Sequence, residues 1–241
     1  MIKDLQNKFS PFFKKLSLFS VEVFILIFVF FVALITFILL AKNIFVGNTY
    51  VFDANAFVFI DAHVSNINTE VMGFFTFLGT HTFLIPANLL LIAWFFFIKK
   101  ERWWSIKIPA VALSSLLLMF LLKFIFERPR PSDPLLAEAA GFSFPSGHAL
   151  MSVTFYGLLL YIIFQSVKNK LLRICFATFF IFLILMIGFS RIYLRVHYAS
   201  DVIAGFLVGI IWLILSLWIL SKIENYKSTH TLEIDRTERT Q

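Results

Sequence analysis

With 241 residues, 60% of them hydrophobic and 15% charged, and a mean hydropathy of +0.88, the chain cannot face water on every side and belongs in a bilayer. Its net charge of +7 does not point to nucleic acid, because the basic residues stand scattered at the ends of apolar runs. The single cysteine, Cys175, excludes an intrachain disulfide.

Residues 1–20 read as a basic, aromatic arm carrying Lys3, Lys8, Lys14 and Lys15. The run from Val21 to Ala41 is long enough to span a bilayer and too long for a signal-peptide core, so it is expected as a retained helix. A loop over residues 43–73 follows, containing Asp53, Asp61, His63 and Glu70, and its FVFI segment is apolar enough to lie on the membrane surface. Further spans are expected at Phe74–Ile98 and Ser105–Phe126, with Trp103 and Trp104 as interfacial aromatics between them. Glu127–Pro145 is a proline-rich polar segment. Pro145 and Ser146 then open a fourth span to Ser166, serine being a good N-cap. The fifth and sixth spans are Leu171–Phe189 and Asp201–Ser221. The expected organisation is an all-α, six-helix membrane domain over 21–221, followed by a mobile tail over 222–241.

Charge sets the orientation. Fifteen of the 21 lysines and arginines fall in the arm, the 99–107 turn, the 168–173 turn and the tail. By the positive-inside rule both termini are cytoplasmic. The other six, Lys42, Lys123, Arg128, Arg130, Arg191 and Arg195, are then outside.

Three stretches converge on that outer side. KFIFERPRP, Lys123 to Pro131, places Lys123 in the last turn of span three and Arg130 seven residues later. PSGH, Pro145 to His148, opens span four, where free backbone N–H groups and the helix dipole favour an anion, and Ser146 and Gly147 allow close approach. SRIYLRVHYASD, Ser190 to Asp201, sets two arginines, a histidine and an aspartate between apolar runs, where charge is costly. If that last stretch enters the following helix, His197 and Asp201 share one face and the carboxylate can hold the imidazole. Taken alone, it fits headgroup anchors and an interfacial histidine equally well.

Phosphoryl transfer asks for this inventory. Charge in the transition state spreads over the equatorial oxygens, so catalysis is mostly positioning plus cationic and N–H donors. Arginines grip phosphate bidentately and a lysine adds a point charge. One histidine can attack phosphorus while the other protonates the leaving oxygen. There is no HExxH motif or paired aspartate cluster, so neither a catalytic metal nor a cofactor is indicated.

The three stretches resemble the signature motifs of the type 2 phosphatidic acid phosphatase family, K-x6-R-P, P-S-G-H and S-R-x5-H-x3-D. All are met without departure between Lys123 and Asp201. The resemblance implies the six-helix core that this family shares with haloperoxidases, removing phosphate from lipids in the bacterial cytoplasmic membrane. It implies that His197 forms a phosphohistidine, Asp201 orients it and His148 is the general acid. Lys123, Arg130, Ser146, Gly147 and Arg191 would bind phosphate, without metal. The substrate is expected among phosphatidylglycerophosphate, phosphatidate and undecaprenyl diphosphate, with the first slightly ahead.

Other residues read as structural. Arg128 falls two short of the motif spacing and is expected at the outer rim. Glu127 can pair with Lys123 on a helix, in the weaker orientation. His63 and His81 are expected to be structural, and Arg195 reads as a headgroup contact or anchor. A lipid-to-lipid phosphotransferase is the nearest alternative. A transporter fits less well, because transporters place polar groups and broken helices near mid-bilayer, whereas the middles of spans three to six are almost wholly apolar and the polar residues sit at their outer ends.

Overall fold

Inside a bilayer every backbone N–H and C=O must be satisfied within the segment, so long apolar runs become helices. A computed structural model describes residues 21–47, 50–135 and 140–238 of the chain. Eight α-helices occur among them: α1 (Val21–Val46), α2 (Tyr50–Asp61), α3 (Asn66–Phe77), α4 (His81–Ala93, prolonged by a π-helical turn, Trp94–Lys99), α5 (Arg102–Phe126), α6 (Gly147–Ser166), α7 (Lys170–Tyr193) and α8 (Ala199–Glu238). Six of these, α1 and α4 to α8, are long and apolar enough to cross a membrane. The basic arm expected over 1–20 lies outside the described residues.

The second span differs from expectation. The apolar run beginning at Phe74 is divided, because Leu78–Thr80 form a turn and the spanning helix starts at His81. Ser65 caps α3 by accepting the Asn68 N–H, and Thr80 stands at the start of α4. Hydropathy cannot register such a break, since Leu, Gly and Thr keep the window apolar. The expected surface loop over 43–73 is instead largely α2 and α3, which pack against α7 and α8 where the chain passes from one to the other. Ile60 and Met72 join Tyr193, Leu194 and Val196 in a buried cluster there. At the far end α8 continues beyond the boundary expected at residue 221.

Helix α6 is the centre of the bundle, packing against α5, α7 and α8. Its Leu158 and Ile162 meet Phe95, Trp104, Ile108 and Val111, so Trp104 faces the core rather than the membrane interface. Its Phe155 and Tyr156 meet Leu84, Leu183 and Ile187. By contrast, α1 exposes most of its large side chains, as a helix facing lipid does.

The contact between α6 and α8 positions the site. A Cβ on Gly205 would lie 2.6 Å from the Ser146 carbonyl oxygen and 2.9 Å from the Ala149 Cβ. Only glycine permits that approach, and with Gly209 one turn on it forms the small-residue spacing that draws membrane helices together. The Ser146 N–H donates to the Asp201 carbonyl at 3.0 Å, tying the first turn of α8 to the start of α6.

Candidate active site

The site is built where helices end. Lys123 stands in the last turn of α5, which closes on Glu127 in the left-handed conformation (φ 44°). There the Glu127 N–H caps the Lys123 carbonyl, while the Lys123 ammonium donates to the Phe142 carbonyl. Ser146 is the N-cap residue of α6, yet its hydroxyl makes no capping bond. Gly147 begins the helix, and a Cβ there would press on the Met119 sulfur of α5 at 2.5 Å. Arg191 lies in the last turn of α7 and donates to the Thr76 hydroxyl on α3.

His197 is not on a helix. The chain leaves α7 after Tyr193, turns through Arg195 (φ 53°) and enters α8 at Ala199. Asp201, in the first turn of α8, is fully buried and His197 is 1% exposed. The His197 Nδ1 lies 3.6 Å from Asp201 Oδ2, long for a hydrogen bond but close enough to orient the ring. On the other edge, Nε2 lies 3.2 Å from Arg130 Nη1. With the guanidinium donating, Nε2 carries the lone pair and Nδ1 the proton, facing the carboxylate. Burial, then the nearby Arg130, Arg191 and Lys123 cations, hold this imidazole well below the usual histidine range, so it is neutral at pH 7.

Arg130 organises the loop around the site. It donates through Nη1 to the Val196 carbonyl at 2.7 Å, through Nε to the Gly141 carbonyl at 2.9 Å, and through Nη2 to the Ala140 carbonyl at 3.2 Å. The Arg191 and Arg130 cations both act on His148, so residues from all three motif stretches share one electrostatic environment. Four buried polar atoms here have no hydrogen-bond partner: Ser146 Oγ, His148 Nε2, Arg191 Nε and His197 Nδ1. Such orphans are rare in folded proteins and each costs about 1–3 kcal/mol.

Two residues that the sequence assigned elsewhere belong to the centre. Arg128, expected at the rim, has a side chain only 10% exposed and donates to Asp201 Oδ1 at 2.5 Å, Asp53 Oδ2 at 2.8 Å and Ser200 Oγ at 2.8 Å. Its burial works against the charge, but Asp201 and Asp53 outweigh it and raise the Arg128 pKa. Asp53, read as part of a surface loop, is 3% exposed on α2. A carboxylate set among the apolar residues of the first turn of α2 was the available signal, since such a charge is buried only when paired. Arg195 is also tied down, donating to Asp61 and to Asp133. Glu127 acts through its backbone rather than through a side-chain pair with Lys123. His63 makes a local bond to the Phe59 carbonyl, as a structural residue would.

A model of the PAP2 superfamily matches residues 104–224. Phosphatidylglycerophosphatase B of Bacillus subtilis (strain 168) is 32% identical over 163 residues, covering 66% of this chain and 78% of that protein. Undecaprenyl-diphosphatase BcrC of the same bacterium is 26% identical over 153 residues, covering 61% and 74%. Among solved structures, the first transmembrane PAP2 type phosphatidylglycerolphosphate phosphatase from Bacillus subtilis superposes with a TM-score of 0.74 at 26% identity, covering 80% of this chain and 96% of that one. LpxE of Aquifex aeolicus superposes with a TM-score of 0.55 at 30% identity, covering 68% and 93%. With half of its length matched by the family model and all three motif stretches gathered at one end of the bundle, this chain is a multi-pass membrane enzyme that belongs to the PAP2 superfamily.

Proposed function

We propose that the protein dephosphorylates a membrane lipid at the outer face of the bacterial cytoplasmic membrane, through a phosphohistidine on His197. The observation that carries this reading is the group of orphaned buried polar atoms on Ser146, His148 and Arg191. A phosphoryl group among them offers the acceptors that Ser146 and Arg191 lack, and a proton acceptor for His148.

In the first step the neutral His197 Nε2 attacks phosphorus as the bond from phosphorus to the lipid oxygen breaks. His148 gives its proton to that oxygen, and the imidazolium character of the phosphohistidine is balanced by Asp201. Lys123, Arg130, Arg191, the Ser146 hydroxyl and the Gly147 N–H hold the equatorial oxygens, while the Ser146 N–H stays on the Asp201 carbonyl. To reach them, Arg130 exchanges its contact with Nε2 for the phosphate. In the second step water gives a proton to His148 and attacks phosphorus, and the P–N bond breaks to release inorganic phosphate and restore His197.

The similarity to phosphatidylglycerophosphatase B favours a phosphomonoester of a glycerophospholipid, with phosphatidylglycerophosphate first in line. The test is phosphate release from a panel of lipid mono- and diphosphates in detergent, paired with trapping of labelled phosphoenzyme after an alkaline quench. Wild-type protein should release phosphate and carry an acid-labile label, and His197→Ala should lose both. In His148→Ala both steps slow. A wild-type enzyme that never carries the label, or His197→Ala that does, overturns the phosphohistidine.

A further inference from the structure

Asp53 is as deeply buried as the reaction centre, yet it comes from α2, which contributes none of the phosphate-binding side chains. Its carboxylate is fully engaged. Oδ1 accepts the Ser200 N–H at 2.9 Å, while Oδ2 accepts the Ser200 hydroxyl at 2.7 Å and Arg128 Nη2 at 2.8 Å. Arg128 Nη1 reaches on to Asp201 Oδ1 at 2.5 Å, and the guanidinium lies over the Tyr198 ring, 4.1 Å from its centroid. Asp201 is thereby divided. Its Oδ1 is taken by Arg128, and its Oδ2 accepts the Tyr198 N–H at 3.0 Å and faces His197.

This arrangement has a physical purpose. A carboxylate enclosed in an apolar bundle neutralises unless a cation compensates it, and a neutral Asp201 would no longer favour the His197 tautomer with the proton on Nδ1. Arginine suits the task, being a planar fork that stays charged when buried. A single contact to Asp201 would leave that fork free to swivel, and Asp53 with Ser200 removes the freedom. The charges of Asp53, Arg128 and Asp201 sum to −1, which matches the positive charge that forms on His197 when it is phosphorylated.

We propose that Asp53 and Arg128 are positioning residues for phosphoryl transfer: Arg128 keeps Asp201 ionised and turned toward His197, and Asp53 with Ser200 keeps the Arg128 guanidinium in the orientation that does so. The proposal rests on the phosphohistidine reading of the same site. It assigns α2 a part in the chemistry without contact to substrate.

Steady-state kinetics on purified full-length variants, normalised to folded protein, tests it. Arg128→Gln should lower kcat roughly 10²-fold with KM unchanged, and should move the acid limb of kcat/KM to higher pH, because Asp201 loses its cation. Arg128→Lys keeps the charge, so the limb stays in place, but kcat still falls because one ammonium cannot span both carboxylates. Asp53→Asn should lower kcat about tenfold with KM unchanged. Ser200→Ala, which removes hydrogen bonds and no charge, should lower kcat about fivefold and keeps the proposal testable if the charged variants do not fold. Losses confined to yield and melting temperature, with wild-type kcat and an unmoved limb, would overturn it. The wild-type phosphoenzyme separates the two readings: if no label is trapped, the phosphohistidine reading has failed. If the label is trapped while these variants turn over normally, only the positioning role has failed.

Discussion

The proposed chemistry rests on the environment of one imidazole. His197 is an ordinary histidine made unusual by burial and by three cations around it, and both effects favour its neutral form. The sign of the pH effect follows. Attack needs neutral His197, acid protonates it, and its pKa in the free enzyme lies well below the unperturbed value of about 6.5. The acid limb of kcat/KM that belongs to His197 should therefore fall below that value, once the substrate's own phosphate titration is accounted for, because kcat/KM reports groups of the free enzyme. A limb at or above about 6.5 in wild-type protein, with a substrate already ionised there, would contradict this account. The neighbouring arginines divide their work by reach. Arg130 touches the imidazole and Arg128 touches the carboxylate behind it, so in the proposed mechanism the two residues separate contact with the reacting group from control of its orientation.

At the level of helices, the site depends on how closely α8 approaches α6. Gly205 faces a backbone carbonyl, which cannot move aside as a flexible side chain can. Gly205→Ala should destabilise the protein by about 1–3 kcal/mol through overpacking and should lower activity by moving Asp201 away from Ser146. Gly73, in the middle of α3, has nothing within 4 Å of a built Cβ. Gly73→Ala should leave activity intact and stabilise by up to about 1 kcal/mol, because alanine is the better helix former. Thermal unfolding in detergent and phosphate-release assays on both variants check the contrast. Helices α2 and α3 serve the same end, bringing Asp53 to Arg128 and Thr76 to Arg191.

For the whole molecule the prediction concerns sidedness. Lys107 near the start of α5 pairs with Glu224 of α8 at 2.5 Å, while Lys123 at the other end of α5 joins the reaction centre, so the basic turns and the site occupy opposite ends of the bundle. With the basic turns inside, single cysteines placed at Asp133 and at Lys168 in a Cys175→Ser background should respond differently to a membrane-impermeant thiol reagent applied to intact cells. Asp133→Cys should be labelled and Lys168→Cys protected; the reverse pattern would place the site on the cytoplasmic side.

Apolar runs determined that six helices would span and where five of them would lie, since these are local properties of length and hydropathy, while the motif resemblance named the His, Asp, Lys and Arg residues that gather at one end of the bundle. The division of the second run into α3 and α4 was not legible, because a turn of Leu, Gly and Thr is as apolar as the helix it interrupts. Nor was the pairing of Asp53 with Arg128. That contact joins residues 75 apart in sequence, and only the packing of α2 against α7 and α8 removes both charges from water and makes each the other's necessary partner. Sequence therefore named the polar side chains of the three motif stretches, and tertiary structure decided which buried charges hold them in place.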